Sequence, residues 1–160
     1  MSKTSDYNKT ASYYNSRYQD TQFEKYEIML AKLKLAGKIL DLGCGTGLLS
    51  AFLQKDLVGC DSSKEMLKIR GSGDLCEIEK LPYKTDAFDW VLSFSVLMNS
   101  QEPEKALKEV KRILKKDGTF ICTFLRAFSP KLRPLIEKHF KIKEEKPCGE
   151  DIGFILMQKA

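Results

Sequence analysis

The sequence is short of histidine and has no closely spaced cysteines. Its 160 residues include one histidine, His139, and five cysteines, of which no two form a Cys-x-x-Cys pair. Structural zinc sites are commonly built from such pairs, so we expect no metal ligands in this chain. A mechanism that needs two histidines is disfavoured because the chain has one histidine. Cysteines spread thinly through apolar runs predict buried, reduced thiols in a cytoplasmic protein.

Long apolar runs are also missing. No stretch approaches the roughly 18 apolar residues of a membrane span, and the first ten residues are polar, so we predict neither a span nor a secretory signal. Basic residues outnumber acidic ones by 27 to 22, a net charge of +5. This mild basicity permits an anionic partner without requiring one. The apolar and charged fractions, 42% and 31%, are typical of one soluble globular domain.

Apolar runs typical of buried strands alternate along the chain with segments typical of amphipathic helices. We predict strands at residues 38–42, 57–60, near 75, 88–94, 119–125, 140–143 and 154–157. We predict helices at residues 23–35, 48–54, 62–69, 103–114 and 131–139. This alternation predicts right-handed crossovers and an α/β three-layer sandwich around a mostly parallel seven-stranded sheet. The last two strands have no helix between them, so the final strand is expected to be antiparallel.

Three glycines at alternate positions follow the first predicted strand and open a helix: Gly43, Gly45 and Gly47. Residues without a Cβ let the backbone turn sharply and approach a ligand closely. The spacing is neither that of a dinucleotide-binding turn nor that of a phosphate-binding loop. Asp41 stands just before the turn, where its carboxylate would repel a pyrophosphate and would suit an ammonium group.

Two further acids follow the next predicted strands. Asp61 ends the second strand, 20 residues after Asp41, where an acid can accept hydrogen bonds from both hydroxyls of a ribose. Asp74 lies at the third strand, where a short carboxylate could accept a hydrogen bond from the exocyclic amine of adenine. An amino acid, a ribose and an adenine without a phosphate describe S-adenosylmethionine.

In this order, the motifs resemble those of class I S-adenosylmethionine-dependent methyltransferases, in the methyltransferase type 11 branch. The resemblance covers about residues 14–123. Residues 41–47 match the cofactor loop of the family, Asp61 matches its ribose-binding acid, and Asp74 with Leu75 matches its adenine-binding pair. The signatures of the branch are matched by Leu81-Pro82-Tyr83, Phe88-Asp89-Trp90-Val91 and residues 112–118.

The resemblance implies a Rossmann-like fold, S-adenosylmethionine as cofactor and S-adenosylhomocysteine as product. It implies a single methyltransferase domain over residues 1–160, with an N-terminal arm and helix at 1–36 and the cofactor-binding core at 37–160. The expected cofactor contacts are Tyr14, Asp41, Gly43, Cys44, Gly45, Thr46, Gly47, Asp61, Ser62, Met66, Asp74, Leu75, Ser93 and Phe94. The candidate substrate contacts are Tyr18, Ser95, Asn99 and Arg126. No catalytic residue is assigned, because methyl displacement chiefly needs positioning.

The sequence also departs from the family pattern. Only 13 positions separate Asp61 from Asp74, no histidine comes soon after the fourth strand, at residues 96–99, and no insert follows the fifth. Three functions therefore stay open. A methyltransferase with a small-molecule acceptor is slightly favoured over one that acts on tRNA or protein with an activating partner subunit, and a non-catalytic cofactor-binding protein is the third. A homodimer is an alternative assembly, and the tyrosine-rich N-terminus is either a frayed arm or a lid over the cofactor.

Overall fold

The computed structural model describes residues 14–159. Its helices are α1 (Tyr14–Leu30), α2 (Leu48–Leu53), α3 (Lys64–Arg70), α4 (Pro103–Ile113) and α5 (Ser129–His139). Its strands are β1 (Ile39–Leu42), β2 (Val58–Asp61), β3 (Asp74–Leu75), β4 (Phe88–Phe94), β5 (Leu114–Leu125), β6 (Phe140–Cys148) and β7 (Asp151–Gln158). Short 3-10 turns follow β4 and β5, at Leu97–Asn99 and Arg126–Phe128.

All seven strands form one sheet in the order β3-β2-β1-β4-β5-β7-β6. The pairs from β3 to β5 are parallel, and β7 runs antiparallel between β5 and β6. Strand order reverses beside β1, because the chain moves outward to β3 and then crosses back to β4. Ligands of such sheets bind at the carboxyl ends of the strands next to this switch point. The predicted fold class is confirmed.

Helices cover both faces of the sheet, as expected for a three-layer sandwich. On one face, α4 and α5 bury an apolar cluster that includes Leu107 and Ile136. On the other, α1 and α2 bury a second cluster that includes Tyr26 and Leu49. The buried side chains of α4, among them Ala106 and Val110, form the apolar stripe expected of an amphipathic helix. Among residues 14–159, no helix has both the length and the apolar character needed to span a membrane.

Some predicted boundaries were wrong. The first helix begins at Tyr14 and ends at Leu30, earlier at both ends than predicted, because its first half is polar and gives no apolar period. Strand β5 begins at Leu114, which pairs with Phe88 before a shift in register. The hairpin of β6 and β7 is also longer than predicted. Residues 143–147, in the edge strand β6, are mostly lysine and glutamate. Such charged residues are typical of edge strands, and they interrupt the apolar alternation that predicts a strand.

All five cysteines are free and buried, as the sequence predicted. Burial raises the pKa of the Cys148 thiol to about 11, and it also raises the pKa values of Cys44 and Cys122. A thiol with a raised pKa is a poor nucleophile at neutral pH. The cysteine within the glycine turn, Cys44, therefore acts as packing.

The stacked pair of Phe124 and Phe154 tests the core between β5 and β7. Phe124 is fully buried and its ring lies 5.5 Å from that of Phe154. We expect Phe124→Ala to lower the free energy of unfolding by about 3–5 kcal/mol, because it leaves a cavity in a close-packed layer. Urea denaturation measures the change. The control is Ile69→Ala, at a side chain that is 45% exposed, for which a change within about 0.5 kcal/mol is expected. Equal effects of the two substitutions would contradict this account of the core.

Candidate functional site

The glycine turn is packed tightly on one side and open on the other. The N–H groups of Gly43 and Cys44 both donate to the carbonyl of Cys60, at 2.8 and 2.9 Å. Gly43 has a φ of 78°, and a Cβ there would lie 2.4 Å from Cγ2 of Val96. At Gly45, by contrast, no atom of the described residues comes within 4 Å of such a Cβ. The turn therefore forms a cradle that is fixed to β2 and β4 and open at Gly45.

Asp61 ties this cradle to the end of β2. Its Oδ2 accepts a hydrogen bond from the N–H of Gly45 at 2.9 Å, and its Oδ1 accepts one from Ser63 at 2.8 Å. Burial raises the pKa of Asp61, and the backbone N–H groups oppose that rise. Ser63 in turn caps α3, since its Oγ accepts the N–H of Met66 at 3.2 Å. One carboxylate thus orients the glycine turn and the start of α3 together.

Asp41 is a buried acid with an unsatisfied oxygen. It lies in β1, two residues before the turn, and its Oδ2 has no hydrogen-bond partner within the described part of the chain. Burial raises the pKa of Asp41 to about 7; Arg70 lowers the pKa and Asp61 raises it further. A buried carboxylate oxygen without a donor is costly. The arrangement suits a ligand that brings its own donor, such as an ammonium group.

Arg70 connects the end of α3 to the chain just before β2, a role that the sequence did not suggest. Its Nη2 donates to the carbonyl of Leu57 at 2.7 Å, and its Nη1 donates to Oγ of Ser72 at 2.8 Å. A Cβ at Gly59 would lie 2.8 Å from its guanidinium carbon, Cζ. The glycine in β2 therefore makes room for an arginine that bridges α3 and β2.

A third acid lies next to Asp61 across the strand pair. In the register of β2 and β3, Cys60 faces Asp74 and Asp61 faces Leu75. Asp74 is exposed, and its Oδ2 accepts a hydrogen bond from Oη of Tyr83 at 2.7 Å. Leu75 is 52% exposed, one of two large apolar side chains so exposed among the described residues. The edge therefore presents an oriented carboxylate beside an apolar surface.

The other predicted cofactor contacts lie around this edge at different depths. Thr46 and Cys44 are buried within the turn, Ser62 is half-buried after β2, and Met66 is 2% exposed in the first turn of α3. Ser93 and Phe94 end β4 and are buried, and the ring of Phe94 meets Tyr26 edge-on at 4.8 Å. The side chain of Tyr14 lies outside the described residues.

The predicted substrate contacts are spread over three elements. Tyr18 is half-buried on α1, and Asn99 is half-buried in the turn after β4. Arg126 follows β5 and donates to the carbonyls of Gly149 and Asp151, at 3.0 and 3.3 Å. Ser95 joins a cluster of charged side chains. Its partners Lys25 and Asp151 were missed in the sequence, because neither belongs to a recognisable motif.

The pKa of Asp41 makes a prediction about stability. Because burial raises the folded pKa of Asp41 to about 7, well above the ordinary range of an aspartate, the folded chain keeps a proton that the unfolded chain loses. The contribution of Asp41 to stability therefore falls as pH rises from about 4 to about 7.

We expect Asp41→Asn to gain stability relative to the parent chain over the same interval, by at most about 1.4 kcal/mol per pH unit. Above pH 7 to 8 the gap is expected to stay constant. Urea denaturation of both chains at pH 5, 6, 7 and 8 measures it. A gap that does not vary with pH would show that the carboxylate is already ionised at pH 5.

Comparison with known proteins places this geometry in a family. The family model described as "Methyltransferase domain" matches residues 40–122, which include the glycine turn and the three acids. A Ubiquinone/menaquinone biosynthesis C-methyltransferase of Desulfotalea psychrophila is 30% identical over 117 residues, 65% of this chain and 48% of the relative. The chain spans about half the length of the curated relatives it matches, 57% of one and 48% of another.

Solved structures show the same fold. A chain from the complex between the Haloferax volcanii Trm112 methyltransferase activator and a methyltransferase superposes with a TM-score of 0.84 at 17% identity, covering 96% of this chain and 98% of that one. The Burkholderia thailandensis 1,6-didemethyltoxoflavin-N1-methyltransferase, solved with S-adenosylhomocysteine, gives 0.76 at 16% identity, covering 98% of this chain and 87% of that one. The chain belongs to the class I S-adenosylmethionine-dependent methyltransferase family.

Proposed function

We propose that this member of the methyltransferase family binds S-adenosylmethionine at the glycine turn and transfers its methyl group to a small molecule. The observation that carries the proposal is the buried, unsatisfied Oδ2 of Asp41, two residues before a turn that is open at Gly45. A carboxylate in that position fits the α-ammonium of the cofactor. It does not fit a phosphate, because two anions there would repel each other.

The other acids fit the rest of the cofactor. Oδ2 of Asp61 accepts a hydrogen bond from the N–H of Gly45 in the turn, and Oδ1 accepts one from the N–H of Ser63 before α3. The remaining lone pairs of its carboxylate would accept hydrogen bonds from the ribose hydroxyls. Asp74 would accept a hydrogen bond from the exocyclic amine of adenine, while the exposed Leu75 offers an apolar surface to the base. When bound, the cofactor supplies an electrophilic methyl carbon on a sulfonium. The residues of the chain position the donor and acceptor and exclude water, effects that can supply roughly 7–11 kcal/mol.

Calorimetric titration with S-adenosylhomocysteine tests this assignment. We expect saturable binding by the parent chain and binding at least about 100-fold weaker for Asp61→Ala, because hydrogen bonds to charged groups contribute about 1.5–3 kcal/mol each. The matched control is Asp56→Asn, at an exposed acid before β2, which should bind like the parent. Binding that survives in Asp61→Ala would place the ribose elsewhere.

Tyr83 provides a finer test of the adenine position. Tyr83→Phe removes the hydroxyl that orients Asp74 but keeps the ring, which packs edge-on against Phe88 at 5.1 Å. We expect affinity for S-adenosylhomocysteine to fall by roughly 2- to 10-fold, the value of one hydrogen bond, with the melting temperature little changed. Calorimetry with S-inosylhomocysteine, which lacks the amine, should show no such loss. An equal loss with both ligands would mean that Tyr83 does not act through the amine.

An activating partner subunit is a second candidate, which the complex with the Trm112 activator supports for a protein of this fold. In this chain Ile69 and Leu75 are 45% and 52% exposed near the two-residue edge strand β3, where a partner could cover apolar surface. The same titration bears on it. A folded chain that binds S-adenosylhomocysteine only after a partner from native extract is added would favour the second candidate. Tight binding without methyl transfer to any acceptor would favour a non-catalytic role.

A further inference from the structure

A buried charge pair lies at the carboxyl edge of the sheet, outside the expected cofactor contacts. Lys25 of α1 and Asp151 at the start of β7 form an ion pair of 3.3 Å, and their side chains are 4% and 0% exposed. Oγ of Ser95 donates to Oδ2 of Asp151 at 2.6 Å and accepts a hydrogen bond from Nζ of Lys25 at 3.2 Å. Thr123 adds a further donor to the same carboxylate oxygen at 3.0 Å.

Ser95 is held in a backbone conformation that side chains rarely adopt. Its φ is 61°, in the left-handed region that costs a non-glycine residue free energy. Its N–H donates to the carbonyl of Thr123 at 3.0 Å, which fixes it over the end of β5. Such strain is tolerated where surrounding contacts enforce it, and it is often found at functional sites. Ser95 is half-buried, so its hydroxyl lies at the boundary between the buried pair and the surface.

Ser95 is also adjacent to the glycine turn through its neighbour in the chain. Ser95 follows β4, which pairs directly with β1, and the next residue, Val96, packs against Gly43. On the other side, Met98 Sδ accepts the N–H of Leu125 at 3.5 Å. Val96, Met98 and Leu125 are all half-buried. Ser95 therefore brings a hydroxyl group to a region of half-buried apolar side chains next to the glycine turn.

The cluster of Lys25, Asp151 and Ser95 can accept a further hydrogen bond. Oδ1 of Asp151 has no hydrogen-bond partner among residues 14–159, and Glu150, 62% exposed, is the other acid near Lys25, at 3.6 Å. The Ser95 hydroxyl donates its proton to Asp151 and accepts from Lys25, so one lone pair remains. That lone pair can accept a hydrogen bond from a ligand.

We propose that Ser95 receives the methyl acceptor, that this acceptor is an apolar or aromatic small molecule bearing a hydroxyl group, and that Asp151 takes up its proton through Ser95. This inference rests on the proposed function and adds the class of acceptor to it. Ser95 would be a catalytic residue, since it touches the reacting hydroxyl. Lys25 and Asp151 act through Ser95 and are positioning residues.

The step balances in charge and atoms. As the acceptor oxygen forms its bond to the methyl carbon, the bond from that carbon to sulfur breaks and its electron pair stays on sulfur. The acceptor proton moves to Oγ of Ser95, and the original Ser95 proton moves to the Asp151 carboxylate. The positive charge of the sulfonium and the negative charge of Asp151 disappear together, and the products are a methyl ether and a neutral thioether.

The test uses the full chain and the variant Ser95→Gly, with phenol as the probe and anisole as its counterpart without a hydroxyl. Glycine removes the hydroxyl and tolerates the positive φ, so the variant should fold. Gln54→Gly is the matched control, because Gln54 is an exposed residue with a φ of 52° in the loop after α2. Binding of each probe to the complex with S-adenosylhomocysteine is followed by NMR titration. Methyl transfer from S-adenosylmethionine is measured to phenol and to thiophenolate, which has no proton to lose.

We expect the parent chain and Gln54→Gly to bind phenol more tightly than anisole, and Ser95→Gly to lose this preference. Transfer to phenol should fall by about 100-fold or more in Ser95→Gly, a typical contribution of proton transfer, while transfer to thiophenolate falls less than about 3-fold. The paired variant Lys25→Met with Asp151→Asn, which buries no lone charge, should show the same split between the two acceptors.

Equal losses with both acceptors would mean a structural role and would overturn the proposal. So would a parent chain that binds S-adenosylhomocysteine but neither binds nor methylates phenol. Absence of S-adenosylhomocysteine binding by the folded parent chain would instead overturn the proposed function, so the two failures are distinguishable.

Discussion

The parallel pairing of β1 with β2 and β4 is the constraint on which the site depends. Asp41 lies opposite Gly59 on one side and Leu92 on the other, so the three strands end at one edge. The proposed cofactor contacts lie along that edge, with the glycine turn after β1, Asp61 at the end of β2 and Asp74 in β3. Ser95, which is proposed to receive the methyl acceptor, follows β4 at the same edge. The turn is then fixed by few contacts, namely two N–H groups on the Cys60 carbonyl and one on Asp61.

The site also contains most of the buried polar atoms that lack a hydrogen-bond partner among the described residues. Of three buried side-chain atoms without a partner among the described residues, two are carboxylate oxygens, on Asp41 and Asp151. Leaving a buried polar atom unpaired costs about 1–3 kcal/mol, and more for a charged group. Burial of the apolar clusters on both faces of the sheet stabilises the fold and offsets that loss of free energy. Bound S-adenosylmethionine would recover the part due to Asp41, because its ammonium group supplies a donor that the described residues lack there.

Residues with recognisable local patterns were predictable, and residues whose roles arise from tertiary contacts were not. The alternate glycines, with an acid at the end of each neighbouring strand, indicated the edge at which we expect the cofactor, because strand ends and turns are local features of sequence. Lys25 gave no such signal. It lies in the helix of low apolar periodicity whose start was misplaced, and it meets Asp151 across 126 positions of the chain. Arg70 was equally hidden, since its role depends on the absence of a Cβ at Gly59.

The two buried acids with an unpaired oxygen, Asp41 and Asp151, lie at the same edge of the sheet and have different proposed roles. Strands in a sheet lie about 4.8 Å apart, so Ser95, which follows β4, is one strand away from Asp41 on β1. Asp151 on β7 is two strands beyond β4, across β5, and it reaches Ser95 only because β7 runs antiparallel and begins at this edge. A parallel last strand would begin at the far edge and place Asp151 there. The antiparallel strand thus brings a second carboxylate to the edge, where the parallel strands already hold the one expected to bind the cofactor.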